Sequence, residues 1–207
     1  TDFMKDGLVG FWSFDGKYVD WSQASAEARD SSGQGNHGDM QNTALTSVSA
    51  GVVGQAFKFD GNDDVMPAGN ATNLQLSNGT ISAWIRTANA GTSYREIVRK
   101  TGAFAIFLKD NVFITYDYGL SSDISTAQNL ADSQWHHVAL TFQSGVTNGT
   151  TVYLDGASLG NTTITVANQL NNLSVGSTFG GQIDEVRVYN TVLSASDVLK
   201  LYNGSKH

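Results

Sequence analysis

Short runs in which apolar and polar positions alternate, each closed by turn residues, divide the chain from end to end. Residues 8–14 are apolar and aromatic and stop at Asp15-Gly16. In residues 55–59, Phe57 and Phe59 fall on one side and Lys58 on the other, ahead of Asp60-Gly61-Asn62-Asp63. Residues 80–87, 96–100, 104–109 and 112–118 follow in quick succession, and Lys109-Asp110-Asn111 reads as a hairpin turn. Residues 136–142 put Val138, Leu140 and Phe142 on one face, and residues 150–154 meet a second hairpin signal at Asp155-Gly156. Residues 172–175 and 182–189 complete about a dozen predicted strands.

The period changes once. Over residues 194–202, Val198, Leu201 and Tyr202 fall at helical spacing, Ser194 is placed to cap the start, and Asp197 three residues on resembles a capping box. Gly204 then stops the helix. Many strands and one short C-terminal helix predict an all-β, two-sheet antiparallel jelly-roll sandwich. With no linker, repeat or composition break, residues 1–207 read as a single domain.

Composition supports this reading. The 207 residues include no cysteine, one proline (Pro67) and 22 glycines. That excludes a disulfide framework and Cys-based metal centres. There are 16 Asp and 16 Asn but only three Glu (Glu27, Glu96, Glu185), so turn formers are plentiful and helix-surface residues scarce. A net charge of −7 argues against nucleic acid as a partner, because phosphate binding needs clustered Lys and Arg. The same Asp-rich loops favour Ca²⁺, which takes hard oxygen ligands. No apolar run approaches the ~18 residues that span a bilayer, so membrane insertion is not expected. The opening Thr-Asp-Phe-Met-Lys lacks a basic region followed by an apolar stretch, so either a leader has been removed or the chain is a domain of a longer protein.

Seven segments carry a family pattern in order: Gly-Leu-Val-Gly-Phe-Trp-Ser-Phe-Asp at 7–15, Asp-Ser-Ser-Gly-Gln-Gly-Asn-His-Gly at 30–38 and Gly-Gln-Ala-Phe-Lys-Phe-Asp-Gly-Asn-Asp-Asp-Val at 54–65. Thr-Ile-Ser-Ala-Trp-Ile-Arg at 80–86, Gln-Trp-His-His-Val-Ala-Leu at 134–140, Val-Tyr-Leu-Asp-Gly at 152–156 and Gly-Gln-Ile-Asp-Glu-Val-Arg-Val-Tyr-Asn at 181–190 follow. Each motif alone is weak, but together they cover essentially the whole chain. In this order they resemble the bacterial laminin-G-like domains of the concanavalin A-like lectin/glucanase superfamily. The resemblance implies a two-sheet jelly roll and an accessory module of a secreted or cell-surface protein.

Function on such a fold has to be argued from sites. Glucanases of this superfamily are similar in carrying a Glu-x-Asp-x-Glu type strand, and nothing like it occurs here. Asp184 and Glu185 are adjacent, so on a regular strand they point to opposite faces. Nothing singles out a nucleophile, and His136 and His137 sit in a family motif where a structural role is expected. No catalytic residue is assigned.

For a cation, Asp15 ends the first strand, Asp30 and Asn36 belong to the glycine-rich loop, and Asp184 begins the last strand. Either these groups meet around a structural Ca²⁺, helped by carbonyls at Gly33 or Gly35, or they cap turns. The resemblance implies the ion, but the long link over residues 16–29 departs from the family and makes Asp20 an alternative to Asp15. Asp60, Asp63 and Asp64 form a second cluster.

For a ligand, alternation puts Ser82, Trp84 and Arg86 opposite Ile81, Ala83 and Ile85, and a solvent-facing sheet surface would make Trp84 and Arg86 a platform. Tyr116 and Tyr118 are candidates to share it. Tyr18 and Trp21 stand in the atypical link with little apolar company, where an aromatic either packs on the body or meets a ligand. The expectation is a noncatalytic carbohydrate-binding or adhesion module with a structural calcium. Its partner would be a polysaccharide or glycan. A protein-contact or architectural domain is the alternative, and a glucanase-like hydrolase the third reading.

Overall fold

The alternating runs become strands because each offers one apolar face to a shared core. The computed structural model describes residues 4–89, 91, 93–116, 128–167 and 169–204. In chain order these form β1 (Leu8–Trp12), β2 (Val48–Ala50), β3 (Gln55–Asp60), β4 (Met66–Pro67), β5 (Asn78–Arg86), β6 (Arg95–Lys100) and β7 (Phe104–Lys109). They continue as β8 (Val112–Tyr116), β9 (Trp135–Gln143), β10 (Thr150–Leu154), β11 (Ala157–Thr162), β12 (Leu173–Val175), β13 (Gly180–Tyr189) and α1 (Ala195–Gly204). Tyr118, the end of one predicted run, lies outside the described residues.

Eight strands form one sheet in the order β11-β10-β9-β5-β13-β3-β2, with β1 also on β13; five form the other, β4-β12-β6-β7-β8. The ladders are antiparallel throughout. Along one flank of β13, β3 takes the first half and β1 the second, which sets the first and last strands side by side. At both predicted hairpins the central residues are left-handed, Asp110 and Asn111 at φ 52° and 66°, Asp155 and Gly156 at 51° and 78°. That is the geometry a two-residue turn needs to match strand twist.

Phe57 and Phe59 of β3, Ile81, Ala83 and Ile85 of β5, Val138, Leu140 and Phe142 of β9, and Ile183, Val186 and Val188 of β13 point inward. They meet Ile97, Phe104, Ile106, Phe113, Leu173 and Val175 of the second sheet in one buried cluster. Burying each such side chain contributes roughly 1.5–3 kcal/mol, which holds the sandwich without covalent staples.

The outer face of the eight-stranded sheet is covered in its middle. Ala139, Tyr153 and Tyr189 pack there with Leu193, Val198 and Leu201. The Ser194 hydroxyl accepts from the Asp197 N–H at 3.2 Å and donates to its carboxylate at 2.6 Å, fixing where the helix starts. None of the described helices is long and apolar enough to cross a membrane.

β13 departs from regular alternation. Its register against β5 shifts between Asp184 and Arg187, and Glu185 sits at φ 52°. This bulge turns Glu185 onto the same outer face as Asp184, where it forms a buried ion pair with Arg187. The expectation that the two adjacent acids face opposite ways therefore fails.

Candidate functional site

At the ends of β3, β13 and β5, beyond the helix-covered area, three polar residues stand in one cross-strand row. Gln182 is opposite Lys58 on one side and Arg86 on the other. Residues paired across a ladder share a face, so all three project outward with Trp84 and Asp184. One row further, Asp60 faces Gly180 across the same ladder. A cavity of about 650 Å³ opens here, lined by Lys58, Asp60, Arg86, Asn89, Gln182 and the bare backbone of Gly180 and Gly181, among others.

The lining is held in place from below. Arg86 Nε donates to the Ser133 carbonyl at 2.8 Å, and Gln182 Nε2 donates to Ser49 Oγ at 2.7 Å. Thr87 Oγ1 donates to the Gly180 carbonyl at 2.5 Å and accepts from the Asn89 N–H at 2.9 Å. Asp60 Oδ1 accepts from the Asn62 N–H at 2.8 Å, and backbone donation of this kind lowers its pKa and keeps it ionised. The chemistry on offer is hydrogen bonding to a polar ligand: two cations, one carboxylate and two amides around a glycine floor.

Of the four residues expected to bind ligand, only Arg86 lines this cavity. Trp84 is buried at 2% exposure, stacked on Tyr202 of α1 with ring centroids 5.5 Å apart and packed on His137. Alternation assigned its face correctly, but the helix covers that face. Trp21 packs against the core with its ring 6.2 Å from Phe57, so its role is to pin its own link. Tyr18 lies under the Lys17 ammonium, 4.7 Å from the ring centroid, and its backbone carbonyl accepts from the Arg29 N–H, away from the cavity.

The expected calcium ligands are not gathered into one coordination shell. Asp30 accepts from Phe11 N, Ser32 N and Asn36 N at 2.8–2.9 Å and from the Ser32 hydroxyl at 2.8 Å. Donor hydrogens therefore occupy the positions a cation would need. Asn36 extends that network, its Nδ2 donating to the Val9 carbonyl and its own carbonyl accepting from Trp12 Nε1. Asp15 and Asp184 do reach a common turn, the one joining β2 to β3. Asp15 accepts from the Gln55 N–H, and Asp184 Oδ2 accepts from Val52 and Val53. Asp184 Oδ1 alone stays buried without a partner, one oxygen where Ca²⁺ takes six to eight. The residues present thus do not fit an ion shared by Asp15, Asp30, Asn36 and Asp184; they act as turn and loop caps. The alternative Asp20 is bound to Arg29 at 2.8 Å and to Ser22. Among the described residues, Asp60, Asp63 and Asp64 are the acids whose ligand atoms lie within 4.8 Å of one another, and Asp60 and Asp64 oxygens accept from the turn's own N–H groups.

Among the described residues, no serine or threonine hydroxyl bonds the ring nitrogens of His136, which are taken by Asp155 at 2.9 Å and Asp132 at 3.2 Å. Lys58, Asp60, Asn89 and Gln182 were missed as ligand candidates. Lys58 read only as the polar partner of Phe57 and Phe59, and the alignment of three strand ends is a matter of register that one strand does not reveal.

A sequence model described as the concanavalin A-like lectin/glucanases superfamily matches residues 60–199. No curated protein matches the sequence. Among solved structures, the binding domain of Paraclostridial Mosquitocidal Protein 1 is similar at a TM-score of 0.76 and 17% identity, over 97% of this chain and 53% of that one. Domain 4 of AbnA, a GH43 extracellular arabinanase from Geobacillus stearothermophilus in complex with arabinotriose, is similar at 0.70 and 20%, over 94% and 98%. The receptor-binding domain of botulinum neurotoxin D gives 0.72 and 12%, over 97% and 53%. The chain thus spans about half the length of the toxin binding domains it resembles, and at these identities the likeness concerns the fold.

Proposed function

The chain belongs to the concanavalin A-like lectin/glucanase superfamily, and from that premise we propose that it is a noncatalytic glycan-binding module of a secreted or cell-surface protein. The observation that carries this reading is the cavity at the ends of β3, β5 and β13, where five hydrogen-bonding side chains converge beside two glycines. Such a site suits a sugar's hydroxyls better than a protein's apolar side chains. The similar domain 4 of the arabinanase, in complex with arabinotriose, supports a sugar ligand on this fold.

The chemistry favours binding over hydrolysis. Glycoside hydrolysis in most families needs two carboxyl groups flanking the bond, one of them protonated. Asp60 is the one carboxylate among the residues lining the cavity, and its pKa is lowered, so it stays charged. Asp64, whose pKa burial raises, is 5% exposed, bonded to the Asp60 N–H and not part of the wall.

The test is a glycan array and polysaccharide pull-down with wild-type protein and Gln182→Ala, alongside incubation with the bound glycan to detect cleavage. Binding that the variant weakens without loss of melting temperature is expected. Failure to retain any glycan, or release of reducing ends, overturns the proposal, and capture of a protein partner alone would favour an adhesion role.

A further inference from the structure

We propose that the cavity selects sugars bearing a carboxylate, such as uronic acids; this rests on the glycan-binding reading above. The argument begins with where the chain keeps its few cations. There are 12 Lys and Arg against 19 acids, a net charge of −7. Most of the described cations are engaged elsewhere. Arg29, Arg99, Arg187 and Lys200 pair with Asp20, Glu96, Glu185 and Asp197. Arg95 donates to Asn111 Oδ1, and buried Lys100 to Asn70 Oδ1 and the Asn171 carbonyl. Lys17 lies over Tyr18, and Lys109 donates to the Tyr94 hydroxyl.

Lys58 and Arg86 differ. Among the described residues Lys58 has no hydrogen bond or ion pair, and Arg86 uses only Nε, on Ser133. Both line the same cavity, separated in the row by Gln182. Neighbouring strands lie about 4.8 Å apart, so the two backbones stand roughly 10 Å from each other. That span accommodates one sugar ring. With Nε pinned, the guanidinium keeps Nη1 and Nη2 for a bidentate contact that matches a planar carboxylate. Lys58 supplies a second, mobile charge. Asp60 Oδ2, Gln182 Oε1 and the Asn89 amide remain for ring hydroxyls, since Asp60 Oδ1 and Gln182 Nε2 are already engaged.

The wall sets two cations without ion-pair partners against the single carboxylate of Asp60, an excess of positive charge on an otherwise acidic chain. A ligand carboxylate would balance that excess, whereas a neutral sugar would leave it in place.

The test is calorimetric titration of the whole chain with oligogalacturonate, its fully methyl-esterified form, a neutral arabinan oligosaccharide and a sulfated oligosaccharide, at low and high salt. The acid form should bind at least about tenfold more tightly than the ester, the size of effect a charge-assisted bidentate pair gives. Arg86→Gln and Arg86→Lys should both lose about tenfold or more, the second because it keeps charge but not the fork. Lys58→Gln should mainly flatten the salt dependence. Unchanged melting temperatures check that the variants fold. Equal binding of acid and ester overturns the selectivity and leaves glycan binding standing. Equal binding of the sulfated probe overturns the carboxylate fork, and binding of none of the probes overturns the selectivity, while the glycan array separately decides the broader reading.

Discussion

Asp30 shows how much one carboxylate can hold in this fold. Its oxygens accept from the β1 backbone at Phe11 and from Ser32 and Asn36 of its own loop, and it is 8% exposed. Removing it strands several donors in a site with little water, which costs more than the bonds themselves contribute. Asp30→Ala is expected to lose about 2–4 kcal/mol in urea denaturation; a loss below about 0.5 kcal/mol would contradict the assignment. The two histidines of β9 have opposite consequences for pH. Burial, with a smaller contribution from the Arg187 charge, pushes His137 down to about 3. The unfolded chain takes up that proton near pH 6.5 and the folded chain does not, so stability falls as pH drops from 6.5 toward 3, by about 1.4 kcal/mol per unit at most. His136 is raised, first by its bond to Asp155, and burial opposes this. Its contribution is complete below pH 6.5 and is lost as pH rises through its folded value. His137→Asn should therefore flatten the acid side of a stability–pH curve measured by urea titration, and an unchanged acid slope would show that another group sets it.

Among the elements, α1 decides what the outer face of the large sheet can do. It stacks Tyr202 on Trp84 at an interplanar angle of 19° and buries Val198 and Leu201. Tyr202→Ala should cost roughly 1–3 kcal/mol and red-shift tryptophan emission. It should leave ligand affinity within about twofold, because the row Lys58, Gln182 and Arg86 lies outside the helix contact. A large affinity loss at unchanged stability would place the ligand under the helix instead. The strands themselves were legible. Phe57 and Phe59 announced β3, Asp155-Gly156 announced the β10–β11 turn, and Ser194 announced the helix. The short strands β2 and β4 gave no such signal, since two or three residues display no period. The site was legible at one residue, Arg86. Period two says which side chains share a face but not which element covers it, and so it could not separate buried Trp84 from exposed Arg86. Nor could it foresee the bulge at Glu185, which is set by pairing between β13 and β5.

For the molecule as a whole, the question is what holds the long loops of a cysteine-free sandwich. The acids expected to do so through calcium do it through N–H groups: Asp30 ties its loop to β1, while Asp15 and Asp184 tie the β2–β3 turn to both ends of the chain. Asp184 pays for its position, since burial raises its pKa to about 7 against the help of Val52 and Val53. Its folded pKa lies above the unfolded value, so its contribution is complete below pH 3.8 and declines as pH rises toward 7. If calcium did bind with a dissociation constant of ~10⁻⁴ M, 1–10 mM of it would add about 1.4–2.7 kcal/mol, or a rise of about 3–11 °C in melting temperature for a chain of this size. The hydrogen-bonded loops lead to the opposite expectation, a melting temperature at pH 7 that calcium and chelator leave within about 1 °C of each other. A rise of several degrees with calcium, lost in Asp60→Asn but kept in Asp30→Asn, would instead locate an ion at the 60–64 turn beside the cavity.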